Sequence, residues 1–411
     1  MSPSLSNKAR QYNLSRSPVR EIMSYADPEY IRGLGVDPDR LISFAGGWVN
    51  HTAPNELRDA YDEIVQDEHL FHKSGAYPHP LGDVSFRAAI IEFEQHVHGI
   101  DSLDINQIGV GLGSTQLANA LFEMLLDPND TVLLLDPTYC NYPTQLRNSV
   151  ANLNIIRLPV LDEGSWHYSP DDKCDEVVKL ITKNKPKLTL LITPDNPTGQ
   201  VLSDRFVDTV AHAMKEVNGF LIIDFAYKEL IFGDHIPEYY SWGPTENVIF
   251  LRSNSKWGRN LGRRLSWVEA PASIIEVLES FQGTAILCPD MLHQLAMTIY
   301  IEHAIKNNTL MGYIEQTKNA YQRAAKQTIS SITNWLGYPA LEPMGGLFTC
   351  MNVGIDGARF VRETLKASEV LFVPGYGFGK TLQHAVRVSF GPLVNDCDVI
   401  EQGLKRVGEF T

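Results

Sequence analysis

The segment from Ser253 to Arg264 holds the residues best suited to carry chemistry in this chain. Lys256 follows the hydroxyl side chains of Ser253 and Ser255, and Arg264 lies eight positions after the lysine. A lysine amine can form a Schiff base with an aldehyde, and hydroxyls together with a guanidinium can bind a phosphate. The segment therefore predicts a site for a phosphate-bearing aldehyde, and pyridoxal 5'-phosphate meets that description. A basic, solvated loop is the alternative interpretation.

Four short apolar runs predict buried strands of a parallel sheet. The runs are Val132 to Leu135, Leu188 to Ile192, Phe220 to Ile223 and Val248 to Leu251. Longer helical patterns separate them, which indicates an α/β fold. Each run is followed by polar residues, and open α/β sheets bind ligands beyond the carboxyl ends of their strands. We therefore expect the side chains that follow the four runs to meet at one edge of the sheet.

Asp224 and Tyr227 can complete a pyridoxal site after the third run. The carboxylate of Asp224 can pair with a protonated pyridine nitrogen and keep the ring an electron sink. The phenol of Tyr227 can donate a hydrogen bond to the ring oxygen of the cofactor. The alternatives are a helix N-cap for Asp224 and a packed core tyrosine for Tyr227.

Other segments offer the remaining groups of such a site. Ser114 and Thr115 follow Gly113 where a helical pattern begins, and helix starts attract phosphate. Asn196 can donate to the ring oxygen, although Asn196 to Gly199 is also typical of a plain turn. Tyr139 offers a flat face for stacking, or serves as an interface tyrosine.

Arg387 lies within an apolar run, Val386 to Phe390, which predicts a partly buried strand. A buried guanidinium requires an anion. A substrate carboxylate suits it because arginine binds carboxylates through two parallel hydrogen bonds. A structural salt bridge is the alternative.

The composition disfavours several classes of function. The chain has 411 residues and a formal net charge of −14, which lacks the basic footprint of a nucleic-acid-binding protein. Its five cysteines are widely spaced, which fits reduced thiols in the cytoplasm better than disulfides. No metal site is expected, because neither histidine pair, at 69 and 72 or at 96 and 98, has further ligands nearby. No apolar run is long enough to predict a membrane span.

The pattern along the chain predicts an uneven division into lobes. Helical periodicity from Glu269 to about Trp335 precedes a glycine-rich segment with strand-like runs, which indicates a smaller C-terminal α+β lobe. We expect an N-terminal arm at 1–25 and a large cofactor-binding domain at 60–300. Residues 26–59 and 301–411 would form the small domain.

Taken together, these residues resemble the class I and II aminotransferases of pyridoxal-phosphate fold type I. The resemblance runs from about Ser17 to Arg406 and is closest to the 2-aminoadipate and kynurenine aminotransferase subgroup. The segments at 17–22 and 42–47 match the opening segments of that subgroup. Later matches are Leu126 to Asp130, Asp136 to Tyr139, Asn196 to Gly199, Ser253 to Lys256, Pro343 to Phe348, Val373 to Gly375 and Arg387 to Phe390.

The resemblance implies a large, mostly parallel, seven-stranded sheet wrapped by helices, and a role for each site residue. Lys256 would form the internal aldimine and move protons, assisted by Asp224 and Tyr227. The implied cofactor-binding set is Gly113, Ser114, Thr115, Tyr139, Asn196, Asp224, Tyr227, Ser253, Ser255, Lys256, Arg264 and Tyr77. The implied substrate-binding set is Gly47, Asn196 and Arg387.

The resemblance also implies a homodimer. Tyr77 matches a tyrosine that reaches the phosphate in the partner subunit, so the active sites would be shared. The expected substrates are an amino acid and a 2-oxo acid, with no nucleic acid or membrane partner. The arm up to Arg20 matches a segment that closes over bound substrate.

Some residues depart from the family pattern and keep a second function open. Trp257, Arg259 and Arg263 stand where small or apolar residues are usual, which predicts a change in the charge of the pocket. Between Ile274 and Asn307 there is no arginine to bind a distal carboxylate, which disfavours aspartate as substrate. An aminotransferase is the leading hypothesis. The alternative is a biosynthetic enzyme that uses γ-elimination, replacement or carbon-carbon bond formation, for example on S-adenosylmethionine with a phosphorylated partner.

Overall fold

The computed structural model describes residues 4–14, 24 and 27–410. Its main feature is a seven-stranded sheet, and the strands are β2 (Ile108–Gly111), β3 (Thr131–Asp136), β4 (Asn154–Pro159), β7 (Leu188–Ile192), β8 (Phe220–Phe225), β9 (Val248–Ser253) and β10 (Ser266–Glu269). They lie side by side in the order β2, β10, β9, β8, β7, β3, β4. Only β10 runs antiparallel to its neighbours. The predicted large, mostly parallel sheet is confirmed.

Alternation along the strands gives the sheet two apolar faces. Leu188 and Leu190 pack on one face, and Leu191 packs on the other. The first face is covered by α6 (Ser114–Leu125), α7 (Tyr142–Ser149) and α10 (Ala272–Ala285). The second is covered by α8 (Cys174–Asn184) and α9 (Asp204–Glu216). Both faces are therefore buried, as their near-continuous apolar sequences predict.

A third apolar cluster packs beside the sheet at its β2 and β10 side. It joins α3 (Asn55–Gln66), α5 (Val84–His98) and α11 (Met291–Lys306), and it includes Trp257 and Trp267. The short helix α4 (Glu68–Ser74) follows α3 directly. Of the helices in the described ranges, none is long and apolar enough to cross a membrane.

The C-terminal part of the chain forms a separate small sheet. Its strands are β11 (Phe348–Asn352), β13 (Val373–Pro374) and β14 (Ala385–Ser389), and β14 lies in the middle. Helices α12 (Leu310–Trp335), α13 (Gly357–Ser368) and α14 (Cys397–Gly408) pack around it. The helical run predicted to end at about Trp335 does end there.

The N-terminal part of the chain packs on this C-terminal sheet region. Strand β1 (Ile42–Ser43) pairs in parallel with β12 (Val370–Leu371), after a short helix α2 (Pro28–Gly33). The predicted arm at 1–25 falls partly outside the described residues, and within it helix α1 covers Asn7–Leu14. A small hairpin, β5 (Leu161–Asp162) with β6 (His167–Tyr168), completes the strands described here.

Candidate functional site

A cavity of about 440 Å³ opens at the carboxyl ends of the parallel strands. Strands β7, β8 and β9 each deliver side chains to it, as does the beginning of α6. The predicted site residues that line it are Gly47, Ser114, Thr115, Tyr139, Asn196, Asp224, Tyr227, Ser253, Ser255, Lys256, Arg264 and Arg387. Gly113 and Tyr77 are the predicted residues that do not line it. Residues that are far apart in the sequence therefore converge on one site. It lies beyond the carboxyl ends of the strands, where open α/β sheets bind ligands.

Lys256 lies in the turn that follows β9. Its Nζ donates a hydrogen bond to the carbonyl oxygen of Gly47 at 2.6 Å. Burial, followed by the positive charges of Arg387 and Arg264, lowers the pKa of Lys256 to about 8, and Asp224 opposes that shift. A larger fraction of this amine is therefore neutral near pH 7 than for an ordinary lysine, which makes it a better nucleophile.

Asp224 is buried near the end of β8 and accepts two hydrogen bonds. The hydroxyl of Tyr142 donates a hydrogen bond to one carboxylate oxygen, and the backbone N–H of Ala226 donates one to the other at 2.9 Å. Burial raises the pKa of Asp224 to about 6, although both bonds and Lys256 favour its charged form. The position lies inside a strand, so the N-cap interpretation from the sequence is wrong.

Arg387 is a buried cation on β14. It donates to the side-chain oxygen of Asn196 at 2.9 Å and to the carbonyl of Ala45 at 2.7 Å, while its Nε has no partner. Its guanidinium carbon lies 4.4 Å from the ring centre of Phe348. In the described ranges no carboxylate forms an ion pair with it, so the structural salt bridge considered from the sequence is not found. Such a group is poised to bind an anion.

Asn196 also contacts Tyr227 within the cavity. A hydrogen bond from Asn196 favours the ionised form of Tyr227, although burial dominates and raises the pKa of that phenol. Tyr227 is buried, and the centre of its ring lies 5.5 Å from Nζ of Lys256. Both side chains are therefore placed to contact one oxygen of a ring bound beside the lysine.

Hydroxyls, a helix start and a guanidinium meet at another end of the cavity. Helix α6 begins at Ser114, directly after Gly113, whose φ of 91° suits glycine. A methyl group on Gly113 would overlap the guanidinium of Arg264. Ser253 accepts a hydrogen bond from Ser266 at 2.9 Å. These donors, together with the free N–H groups of a helix start, form a cradle for a phosphate.

Tyr139 lines the cavity at the end of the loop after β3. Its ring meets that of Tyr142 edge-on, with the ring centres 5.3 Å apart. Burial raises the pKa of the Tyr139 phenol, so the ring stays neutral. Its predicted stacking role remains a prediction.

Sequence reasoning missed several residues that line the cavity. Tyr142 is the most informative, because its hydroxyl contacts a carboxylate 82 positions away in the chain. The signal available was its place three residues after Tyr139, where α7 begins. Cys140, Gln145 and Leu261 were also missed.

The expected change in pocket charge after the lysine is not found. Trp257 points away from the cavity and stacks on Phe93, with the ring centres 4.8 Å apart. Arg259 is exposed and reaches Asn50, while Arg263 lies over the ring of Tyr61. None of these three residues lines the cavity, because the turn directs them into the third cluster or to the surface.

Comparison with known proteins gives a consistent result. A family model described as aminotransferase class I and II matches residues 44–402. An aspartate aminotransferase of Pyrococcus horikoshii is 25% identical over 401 residues, which cover 95% of each chain. An aromatic-amino-acid aminotransferase of Thermococcus litoralis is 25% identical over 357 residues, which cover 85% of this chain and 87% of the relative.

Solved structures share the fold over the whole chain. A single mutant of Thermus thermophilus aspartate aminotransferase has a TM-score of 0.85 at 22% identity and covers 100% of both chains. An aromatic aminotransferase of Pyrococcus horikoshii has a TM-score of 0.80 at 23% identity, covering 92% of this chain and 98% of that chain. None of these proteins is named as a 2-aminoadipate or kynurenine aminotransferase, so that subgroup stays a prediction.

Proposed function

The chain belongs to the class I and II aminotransferase family, which depends on pyridoxal 5'-phosphate, and we propose that the cavity around Lys256 is its active site. The reaction moves an amino group between an amino acid and a 2-oxo acid. The observation that carries the proposal is the lysine itself. Lys256 is the one amine among the described residues that lines this cavity, and its lowered pKa suits attack on an aldehyde.

The residues present fit the cofactor. Because Gly113 has no side chain, the guanidinium of Arg264 can lie against the start of α6, where a phosphate can bind. Asp224 is a buried carboxylate held by Tyr142, which suits a partner for a protonated pyridine nitrogen. These groups are complementary to the two ends of the cofactor.

When bound, the cofactor supplies an electron sink that stabilises negative charge at the carbon next to the transferred nitrogen. Each protein group has a separate task in this proposal. The amine of Lys256 accepts and returns a proton at that carbon, and Asp224 keeps the pyridine nitrogen protonated. Asn196 and Tyr227 hold the ring oxygen, and Tyr139 covers the ring.

Arg387 binds the substrate carboxylate. Its unpartnered Nε and the buried, aromatic surroundings at Phe348 and Phe378 favour an anion that forms two hydrogen bonds. Gly47 lines the same part of the cavity and offers backbone atoms without a side chain. The substrate is then held with its reacting carbon near Lys256.

The alternative chemistry, γ-elimination or replacement, is not favoured. It rested on three residues after the lysine that do not reach the cavity. The family match and the names of the relatives support amino-group transfer.

A half-reaction tests the proposed function. The purified holoenzyme is mixed with single amino acids, without an acceptor, and its visible absorption is followed. We expect conversion to the pyridoxamine form, with one equivalent of 2-oxo acid per site. Release of a thioether from S-adenosylmethionine would instead support the alternative. The Lys256→Ala variant should lose the absorption of the lysine-bound cofactor, and retention of that absorption would refute the assignment of Lys256.

We also propose a homodimer with shared active sites. Tyr77 is 84% exposed, and Phe71, Val84, Val277 and Leu287 are other large apolar side chains left exposed in neighbouring segments. A hydrogen bond from Gln282 to Pro80 and an ion pair between His79 and Glu279 bring those segments together. Exposed apolar residues grouped in this way are typical of a protein interface. A cytoplasmic location remains a proposal that rests on the spacing of the five cysteines.

A further inference from the structure

Residues 45–51, the linking segment, connect the C-terminal sheet to the lysine turn. On one side, Arg387 donates to the carbonyl of Ala45 at 2.7 Å, and Ser389 donates to that of Gly46. On the other side, Lys256 donates to the carbonyl of Gly47 at 2.6 Å. The segment ends with Trp48, Val49, Asn50 and His51. His51 has no part in the roles assigned above.

His51 is buried and makes two hydrogen bonds. Its Nε2 lies 3.0 Å from the carbonyl oxygen of Trp257, and its Nδ1 lies 2.8 Å from the hydroxyl of Tyr321. A carbonyl can only accept, so Nε2 must carry the hydrogen. Burial lowers the pKa of His51 to about 4, so the ring is neutral and its Nδ1 must accept. Tyr321 is therefore the donor, and one tautomer satisfies both contacts.

The residue that His51 holds is the one after the lysine. The ring of Trp257 is fully buried and stacks on Phe93. Its carbonyl is bound by His51, so Trp257, the residue after Lys256, is held through both its side chain and its backbone. Tyr321 belongs to α12, in the C-terminal cluster, so the chain of contacts joins that cluster to the lysine turn.

We propose that His51 is a positioning residue for Lys256, acting through the carbonyl of Trp257, an inference that rests on the proposed role of the lysine. Together with Gly47, His51 sets where the amine lies relative to the C-terminal lobe that carries Arg387. The nucleophile and the carboxylate-binding group are thereby kept at a fixed separation. Displacement of a reacting group by ~1 Å is enough to slow a reaction by about a hundredfold.

Loss of this contact has a consequence that can be measured without the cofactor. Burial is the largest cause of the lowered pKa of Lys256. A turn released from His51 admits water to the amine, which raises that pKa from about 8 toward the ordinary lysine value of 10.5. The position of the amine is thus reported by the pH at which it becomes reactive.

The test compares three variants with a matched control. His51→Leu removes both hydrogen bonds, His51→Gln keeps a donor for the Trp257 carbonyl, and Tyr321→Phe removes only the donor to Nδ1. His212→Gln is the control, since His212 is exposed on α9 and bonds within its own helix. In the cofactor-free proteins, labelling of Lys256 by an amine reagent is measured against pH by mass spectrometry. In the holoenzymes, kcat, KM and melting temperature are measured.

For His51→Leu we expect the labelling midpoint to rise and kcat to fall by about one to two orders of magnitude. His51→Gln should restore most of both, and Tyr321→Phe should move both in the same direction by less. If His51→Leu does not fold, Tyr321→Phe carries the test. A lower melting temperature with an unchanged labelling midpoint and kcat would overturn the inference. Retention of cofactor absorption by Lys256→Ala would instead refute the proposed function.

Discussion

At the scale of single residues, the reactivity of the site depends on the burial of Lys256 and on the charges around it. Lys256 lies between Arg387 and Arg264, which lower its pKa, and Asp224, which raises it. Coulomb interactions are stronger in a partly buried site than in water. The reactivity of the lysine is therefore set by its neighbours and by burial, and each contribution can be removed separately.

Replacement of Asp224 by Asn should lower the pKa of Lys256 in the cofactor-free protein to below about 8. Asp224 has a pKa of about 6, so above pH 7 it is charged and favours the protonated amine. Without that negative charge, the amine loses its proton at lower pH. The pH dependence of Lys256 labelling measures the shift. Asp398→Asn, an exposed change in the first turn of α14, is the control. An unchanged or raised midpoint would show that Asp224 does not act on the amine.

At the scale of elements, the side chains of β9 and the turn after it point to two sides, one facing the cavity and the other a cluster of charged residues. On and just after β9, Ser253 and Ser255 face the cavity, while Arg252 points to the other side. There it donates to Glu94 and Glu229, each at 2.9 Å, and lies 3.4 Å from Glu269. All four charged groups are buried. This buried ionic cluster therefore joins β9 to β10, to α5 and to the segment after β8.

Replacement of Arg252 by Met should destabilise the fold by about 3–5 kcal/mol, because it removes the buried arginine that pairs with Glu229 and Glu269 and leaves Glu94 with Lys228 alone. Urea denaturation of the cofactor-free protein measures this free energy of unfolding. Arg359→Met is the control. Arg359 forms an exposed ion pair with Glu363 within α13, and such pairs contribute about 0–1 kcal/mol. Equal losses in the two variants would contradict the importance of the buried cluster.

The Gly113→Ala variant should bind pyridoxal 5'-phosphate about tenfold or more weakly. The added methyl would overlap Arg264 and strain a backbone with φ of 91°. Gly233→Ala is a matched control, since Gly233 also has a positive φ, of 78°, but has open space around it. Titration of the cofactor-free variants, followed by absorbance, gives both affinities. A similar loss of affinity in the control would show that backbone strain away from the cavity weakens binding equally, and would contradict a specific role for Gly113.

The sequence predicted those elements whose residues are apolar throughout. The four runs that end at Leu135, Ile192, Ile223 and Leu251 are strands in the structure, with ends extended by up to two residues. Three further strands of the large sheet were missed. Strand β10 contains Ser266 and Glu269, whose side chains are buried because they pair with Ser253 and Arg252.

The other two missed strands have different causes. Strand β2 reads Ile-Gly-Val-Gly, which gives little side chain to recognise, and β4 is a half-exposed edge strand that includes an arginine. Many of the predicted residues that line the cavity could be found because they lie at or just after the end of a strand, in a recognisable motif. Tyr142 and His51 could not, since their roles depend on partners that are distant in the sequence.

At the scale of the whole molecule, a strand in the first part of the chain pairs with a strand in its last part. The pairing of β1 with β12 brings residues near 42 to residues near 370. It supports our proposal that residues 26–59 and 301–411 form one domain and residues 60–300 another. The cavity takes Gly47 and Arg387 from the proposed small domain and Asp224 and Lys256 from the large one. Relative movement of the two domains would therefore change the separation of the substrate groups and the lysine.

If the active sites are shared, a mixed dimer of two impaired variants should regain activity. Tyr77 is exposed and does not line the cavity of its own chain, so its proposed phosphate contact is to the partner. We expect Tyr77→Ala to weaken cofactor binding by about 10- to 100-fold, the effect of losing a hydrogen bond to a charged group. Lys256→Ala should be inactive.

A mixed dimer of Tyr77→Ala and Lys256→Ala has one site with both native residues, provided that Tyr77 acts across the interface. Co-expression with two different tags isolates this dimer, and its activity is measured at cofactor concentrations where Tyr77→Ala alone is mostly empty. We expect close to half of the native activity, because one site of two is intact. If Tyr77 acted within its own subunit, the mixed dimer would contain no intact site and would stay as inactive as its parents.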